Sequence, residues 1–476
     1  MDCFLFFMSL FDILVQGIEK FTDILTSLIY FNVLGFLGNK DINLPFIIAF
    51  LIGGYIILAF KLRWIQFTKL KYSIKYAFGK KKDKKKGDVS SLKTLLASVA
   101  SCTGMNAVAG MVFMVAVGGP GTIFWMPIIA FLCMPFRFAE VYLSHTYREQ
   151  RGKEVLGGPF DYIKKGLGEL KLKKLGKYLA LAYALIMIFC GTTGVSMYEA
   201  NQCISVISGS FNTLADKRML LSIVVVLAVL FIIIGGTKRI MNFFGIVLPV
   251  IAIIYILASL IVIGKNIDKL GDAIVMIFQD AIHPKAIAGG FFASMCMCAR
   301  KFCLSNETGL GTSGMVHASS TEPDSIKEAT SAMMTPLINC FCVCLMSCFV
   351  LILTGFYQHE STKDGAVAIF NAFGSVNKFL PYIITILVPM LAFNVLIGWN
   401  NYIVKCTKYC FKSSKAVKIA IALSLCCSFM GGILNDFNLI MQIIDSIMML
   451  LIIVNVPVVV LLSNKVWKAL KVYKFK

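Results

Sequence analysis

The sequence predicts an all-α protein that crosses a membrane many times. Hydrophobic residues make up 58% of its 476 residues, charged residues only 15%, and the mean hydropathy is +0.80. Water-soluble domains carry about 25% charged residues, so a soluble enzyme of this size is excluded. A transmembrane β-barrel is also excluded, because its strands alternate polar and apolar residues, whereas this chain contains long unbroken apolar runs.

Apolar runs of membrane length predict the number of spans. A spanning helix needs about 20 apolar residues, and eleven segments approach this, numbered here as spans one to eleven: 45–61, 91–117, 121–143, 178–208, 219–236, 243–264, 285–304, 331–355, 379–403, 417–434 and 440–462. Residues 1–44 contain two apolar stretches that are too short to span. We expect an interfacial or re-entrant segment there.

The positions of the basic residues predict the orientation of the chain. Lys and Arg lie mainly in alternate loops, with 35 on one side and seven on the other. The positive-inside rule places the richer side in the cytoplasm, so the N-terminus is expected outside and the C-terminus inside. The cytoplasmic set includes the lysine-rich run at 80–86 and Arg300 with Lys301. The net charge of +21 is therefore a topology signal, and no nucleic-acid partner is expected.

Two spans contain small or helix-breaking residues. Span two contains Gly104 and Gly110, and span seven contains Gly289, Gly290 and Ser294. Broken backbone at membrane depth is tolerated where it is buried in protein or lines a cavity. Two broken helices five spans apart indicate an inverted repeat, although glycines that only let helices pack closely are an alternative. The predicted organisation is an N-terminal segment 1–44, a first helix with its basic loop 45–90, repeats 91–264 and 265–462, and a basic tail 463–476.

Polar residues inside the spans are candidates for a binding site, because they are costly in a membrane. They are Glu199, Asn201 and Gln202 in span four, Asn339 in span eight, Asn394, Trp399, Asn400 and Asn401 in span nine, and Asp445 in span eleven. Glu199 could equally be a structural acid in a hydrogen-bonded network. The cysteines lack the spacing of metal ligands and are expected to pack helices. No nucleophile–base or metal constellation is recognisable, so neither an enzyme nor a transition-metal site is predicted.

Ordered motifs along residues 45–462 resemble the alanine or glycine:cation symporter family. They are residues 118–126 with 138–140, 157–163, 235–240, 305–312 with His317 and Ala318, and Gly398-Trp399. The resemblance implies a LeuT-like fold of two inverted five-helix repeats. It also implies sodium-coupled uptake of a small neutral amino acid such as alanine or glycine.

The chain departs from the family pattern inside the predicted site. Met105 and Ala107 replace the Thr and Asn of the family's G-T-G-N, and Asn106 lies one position early. Glu199 replaces a Gln and Asn339 replaces an Asp, while Asn394 stands at one of a pair of Thr residues. The cytoplasmic motif is kept, so these changes predict a transporter with an altered substrate or coupling ion.

The broken helix of span two is expected to bind substrate through its backbone. Free N–H groups at a half-helix N-terminus attract a carboxylate, and free carbonyl groups attract a cation. We expect Glu199 to bind a cation or to take up a proton. The predicted substrate-binding residues are Thr103, Gly104, Met105, Asn106, Gly110, Glu199, Asn201 and Trp399. The predicted cation-binding residues are Gly104, Asn106, Asn339 and Asn394.

Two glycine-rich motifs are expected to act as gates or structural turns. They comprise Gly118, Gly119, Pro120 and Gly121, and then Ser305, Asn306, Glu307, Gly309 and Gly311. The second is expected to be a water-accessible cytoplasmic turn, in which Gly309 and Gly311 adopt positive φ.

Three functions remain open. They are sodium-coupled symport of a small amino acid by alternating access, the same fold with proton coupling or exchange, and a channel or membrane enzyme. Sodium is expected as the co-transported ion, with no other cofactor, and membrane lipid is the expected surrounding partner. Frequent Phe, Ile, Lys and Asn are typical of AT-rich bacterial coding, which places the protein in the cell membrane. The oligomeric state is not predicted.

Overall fold

The computed structural model describes residues 17, 19–36, 43–79, 90–151, 154–214, 216–282, 290–360, 362, 365–434 and 436–475. Helices dominate these residues, as the composition predicts, and β structure includes one small antiparallel hairpin of β1 (Glu149–Arg151) and β2 (Glu154–Leu156). The lysine-rich run at 80–86 and Gly289 lie outside the described residues.

The helices of the first half follow the predicted spans. Residues 19–29 are also helical. The labelled helices are α1 Val33–Phe36, α2 Phe46–Lys61, α3 Ile65–Thr68, α4 Leu70–Phe78, α5 Ser91–Cys102, α6 Ala109–Gly118, α7 Thr122–Thr146, α8 Pro159–Glu169, α9 Lys173–Cys190, α10 Ser196–Ser210, α11 Arg218–Ile233 and α12 Gly236–Lys265.

The second half continues in the same way. Its helices are α13 Leu270–Ile282, α14 Gly290–Asn306, α15 Thr312–His317, α16 Ser325–Ala332, α17 Met334–Asn339, α18 Leu345–Thr354, α19 Ala366–Val376, α20 Leu380–Phe411, α21 Ser414–Ile433 and α22 Phe437–Val472. Short π-helical turns join α9 to α10 and α17 to α18. Such turns insert one extra residue into a helix and occur often at functional sites.

Seven helical segments of the described chain are long and apolar enough to cross a membrane, and an eighth is a pair of helices bent at a break. Three shorter apolar helices, α2, α11 and α19, accompany them. The chain is therefore a multi-pass integral membrane protein. Its large exposed side chains include many Ile, Leu, Val and Phe residues, which suits a surface that faces lipid.

Arg300 and Lys301 do not lie in a loop, contrary to the charge assignment. Both belong to α14 and form an ion pair with the buried Asp445 of α22, at Nη2···Oδ2 2.8 Å and Nζ···Oδ2 2.6 Å. The Arg300 guanidinium also lies 4.3 Å from the centre of the Tyr30 ring, which anchors the N-terminal segment. A sequence count cannot separate these cations from loop cations, because their partner lies about 145 residues away. The orientation still rests on the remaining loops.

Candidate functional site

The predicted break in span two is present. Helices α5 and α6 are separated by Thr103, Gly104 and a short 3₁₀ turn, Met105–Ala107, and the two parts of the span are bent by 70°. All residues of the break are buried. The small residues and the bend together interrupt the helical hydrogen bonds, so backbone groups of the break need other partners.

A carboxylate of α10 supplies one of these partners. The backbone N–H of Met105 donates to both oxygens of Glu199, at 3.0 and 3.3 Å. Glu199 is only 2% exposed. At the other end of the turn, the Ala107 carbonyl accepts a hydrogen bond of 3.1 Å from Ser347 of α18. The sequence identified Glu199 as important, but the backbone partner was not foreseen.

Gly104 allows the carboxylate to reach the break. A Cβ atom built on Gly104 would lie 2.8 and 3.0 Å from the two oxygens of Glu199, and it would also strike the Val395 side chain. Carbon and oxygen atoms without a hydrogen bond do not approach so closely. A glycine is therefore required here because α10 and α20 approach closely, and not because of the backbone conformation.

A second break lies at residues 307–311, between α14 and α15. The break predicted inside span seven is wrong for Gly290 and Ser294, because both lie in the continuous helix α14, and Gly289 lies outside the described residues. Glu307, Gly309 and Gly311 have φ angles of +59°, +96° and +87°. The two glycines adopt positive φ as predicted, and Glu307 does so despite its side chain, which is uncommon. The Asn306 side chain accepts from the Thr308 N–H at 2.9 Å and stabilises the turn.

Four side chains from distant helices donate hydrogen bonds to carbonyl groups in or next to this second break. Their donors are Arg137 to Asn306, Tyr55 to Thr308, Asn455 to Gly309 and Tyr183 to Leu310. Arg137 also binds Ser313, and Asn455 donates to Glu140. Tyr55, Tyr183 and Asn455 were not recognised in the sequence, because an isolated polar residue in an apolar helix gives no spacing signal. The contacts explain why the motif tolerates burial.

Glu307 is buried, so the expectation of a water-accessible turn is wrong. Its side chain is 3% exposed, and its Oε1 accepts a hydrogen bond of 2.7 Å from Nε1 of Trp399. Trp399 is buried too and packs edge-on against Tyr402, with ring centres 5.7 Å apart. The motif was read as a loop because it is rich in glycine and polar residues. In the structure, neighbouring helices donate hydrogen bonds to the carbonyl groups of residues 306, 308, 309 and 310 and to the Glu307 carboxyl group.

Asn339 links the first break to the last turn of α14, which directly precedes the second break. Its Nδ2 donates to Thr103 of the first break at 3.0 Å, and its Oδ1 accepts from Ser305 at 3.3 Å. Cys344 also donates to this oxygen. Asn339 therefore lies where a cation-binding residue was predicted, but its amide already holds protein groups together.

Two other amides have polar atoms without a hydrogen-bond partner among the described residues. Both side-chain polar atoms of Asn394 are buried in this way, and so is Oδ1 of Asn106. Asn394 is adjacent to Val395, the residue that faces Gly104. The Asn106 oxygen lies near Gly110, where an added Cβ would be 3.0 Å away. Buried polar groups without partners are uncommon and often belong to ligand sites.

Asn201 lies apart from the breaks. Its Nδ2 donates to the carbonyls of Gly431 and Leu434 at the end of α21, at 3.0 and 2.6 Å. Its Oδ1 accepts from Gln202. These bonds connect α10 to α21, so the structure gives Asn201 a packing contact and does not bring it to Met105.

The motif at Gly118, Gly119, Pro120 and Gly121 forms the turn between α6 and α7. Gly119 has a φ of +79°, and the N–H of Gly121 donates to Asp280 of α13 at 2.7 Å. An added Cβ at Gly121 would lie 2.5 Å from the backbone nitrogen of Ala281. This turn therefore locks the far end of the broken span onto α13.

The opposite end of the broken span is held by a buried acid. Glu328 of α16 accepts from Ser91 at 2.5 Å and from Thr94 at 3.4 Å, both on α5, and contacts Nδ1 of His317 at 2.6 Å. A further bond of 2.8 Å joins Ser98 of α5 to Ser313 of α15. This contact set between α5, α15 and α16 is called the α5 latch below.

Replacing Trp399 by Phe should destabilise the protein by about 1.5–3 kcal/mol, because a hydrogen bond to a buried acidic group is lost while ring packing is kept. A lower apparent melting temperature of the purified full chain in detergent checks this. Trp467→Phe is the matched control, since Trp467 is partly buried and stacks on Arg63 away from both breaks. Equal melting temperatures for the two variants would contradict a stabilising bond to Glu307.

Comparison with known proteins gives consistent matches. The model of the family described as "Sodium:alanine symporter family" matches residues 30–476. An uncharacterized transporter of Haemophilus influenzae is 31% identical over 76% of this chain and 79% of its own length. The sodium/alanine symporter AgcS of Methanococcus maripaludis is 29% identical, covering 80% and 84%. The amino-acid carrier protein AlsT of Bacillus subtilis is 26% identical, covering 91% and 92%.

Proposed function

The chain belongs to the sodium:alanine symporter family, and from this premise we propose that it is a sodium-coupled secondary active transporter. Its substrate is a small solute that carries an amino group, as in the relatives named for alanine or amino acids. The observation that carries this proposal is the pair of buried breaks at 103–108 and 307–311, with Asn339 bridging the first break and the end of α14 just before the second. Broken helices that meet inside a membrane protein supply backbone groups to substrate and ions.

The proposed architecture is the inverted repeat expected from the sequence. Helices α5 to α12 form spans two to six, which are the first repeat. Helices α14 to α22 form spans seven to eleven, which are the second repeat, and α2 forms span one. The protein lies in the cell membrane, with its N-terminus outside the cell and its C-terminus in the cytoplasm. In support, each of the eleven apolar segments contains helical residues in the part of the chain that the structure describes.

Alternating access requires that contacts at the two ends of the broken span open in turn. The α5 latch closes the end that follows the basic loop, and the contact of Gly121 with Asp280 closes the other. Asn394 has a buried side-chain oxygen without a partner among the described residues, which suits a sodium ion together with backbone carbonyls. Sodium entry down its gradient and the membrane potential, worth about 2.3 kcal/mol per charge per 100 mV, would drive the cycle.

Uptake into proteoliposomes tests this function. The purified full chain should accumulate labelled solutes from a panel of amino acids and amines when an inward sodium gradient is imposed. A proton gradient of equal size serves as the second arm, since one relative is named a putative sodium/proton-dependent alanine carrier. Accumulation driven by the proton gradient alone would show that transport is coupled to protons and not to sodium. Absence of gradient-driven uptake for the whole panel would overturn the proposed function.

A further inference from the structure

We propose that Glu199 occupies the position in which the first break would hold a substrate carboxylate, so that the substrate is a small organic amine without a carboxylate. The inference rests on the proposed function and narrows its substrate class. Three observations support it: the Glu199 carboxyl group binds the first break, side chains pack closely around it, and other carboxyl groups lie near the breaks.

One backbone donor of the break already has a carboxyl group of the protein as its partner. An N–H at the start of a half-helix attracts a substrate carboxylate. Here the Met105 N–H donates to both Glu199 oxygens, at 3.0 and 3.3 Å. The carboxylate that this donor holds is therefore part of the protein. A substrate would meet Glu199 instead of a free donor, and a carboxylate prefers an ammonium group as its partner.

Close packing around the first break keeps the Glu199 side chain in its position. Its oxygens lie against Gly104, within 3.0 Å of the position a Cβ would take, and Val395 of α20 packs on the same glycine. The acid is 2% exposed. A substrate carboxylate would have to displace the Glu199 carboxylate from the break and leave it buried without its donor, which is costly.

The charges around the two breaks favour a cation. Glu199 binds the first break and Glu307 belongs to the second. Glu140 is tied to the second break by Asn455, which donates to Glu140 and to the Gly309 carbonyl. Arg137, a cationic group beside the second break, is already bound to Ser313 and the Asn306 carbonyl. A substrate carboxylate would add a fourth acidic group to a buried region. An ammonium group would instead balance one of the three.

A neutral polar group completes the proposed site. Oδ1 of Asn106 is buried and has no hydrogen-bond partner among the described residues. This amide belongs to the turn whose N–H binds Glu199. Amide oxygens accept hydrogen bonds from an ammonium group. The acceptors are thus one carboxylate and a neutral amide, which matches an amine.

Binding of matched ligand pairs to the full-length protein in detergent with sodium tests the proposal. Each pair differs by one carboxylate: alanine with ethylamine, serine with ethanolamine, and lysine with cadaverine. Isothermal titration calorimetry should show tighter binding of the amine in at least one pair and of the amino acid in none. The Glu199→Gln variant, which keeps the shape but removes the charge, should shift the ratio at least about tenfold toward the amino acid.

The surface variant Glu169→Gln is the control, because it makes the same chemical change at a half-exposed side chain that pairs with Lys465. It should leave the ratio unchanged. Tighter binding of the amino acids by the wild type, or an equal ratio in Glu199→Gln and the wild type, would overturn the amine proposal. Sodium-driven uptake of alanine but not of amines would overturn it too while leaving the proposed transport function standing. If neither amines nor amino acids bound or were taken up along a gradient, the amine proposal and the proposed transport function would both be overturned.

Discussion

Gly104→Ala is expected to weaken ligand binding at least about tenfold, because its methyl group and the Glu199 carboxylate compete for the same space. The added Cβ would lie 2.8 and 3.0 Å from the Glu199 oxygens and would also strike Val395. Relief requires Glu199 to leave the Met105 N–H or α20 to move away. Overpacking of this kind also costs about 1–3 kcal/mol of stability.

Calorimetry with the best ligand from the panel measures the affinity, and a thermal scan separates lost binding from lost folding. Gly53→Ala is the matched control, since Gly53 lies in α2 and an added Cβ there meets no atom within 4 Å. It should bind as the wild type does. If folded Gly104→Ala protein bound the ligand with unchanged affinity, the contact between Glu199 and the first break would not be part of the binding site.

Asp445→Asn is expected to destabilise the protein by about 3–5 kcal/mol, the usual loss when one partner of a buried ion pair is removed. Asp445 and Lys301 are both 0% exposed in their side chains, and Arg300 binds the same carboxylate oxygen. The variant would leave two cations close together, one of them fully buried. The exchange keeps the shape of the side chain, so the loss would reflect charge.

The apparent melting temperature of the full chain in detergent measures this effect. Glu169→Gln is the control, because its pair with Lys465 is half exposed and surface pairs contribute about 0–1 kcal/mol. The double variant Asp445→Asn with Lys301→Met should recover part of the loss, since it removes the buried cation as well. Equal melting temperatures for Asp445→Asn and the wild type would show that the ion pair does not stabilise the helix packing.

The α-helical membrane class and the first break were predictable because they depend on local composition. Twenty apolar residues in sequence must form a helix in lipid, since each backbone polar group needs a partner within the segment. Small residues around Gly104 signal a break for the same reason. Residues 305–311 show the limit of this reasoning. Their glycines and polar groups look like a solvent loop, and burial became possible because Arg137, Tyr55, Asn455 and Tyr183 satisfy the carbonyl groups.

The sequence by itself determined that this chain crosses a membrane, that one span is broken near Gly104, and that Glu199 is an unusual buried acid. These properties follow from hydrophobicity, backbone geometry and the cost of burying charge, all of which act along the chain. The tertiary structure alone decided which groups meet: Glu199 with Met105, Trp399 with Glu307, and Asp445 with Arg300 and Lys301. Their partners lie about 90 to 145 residues apart, where pairing depends on helix packing and leaves no periodic trace in the sequence.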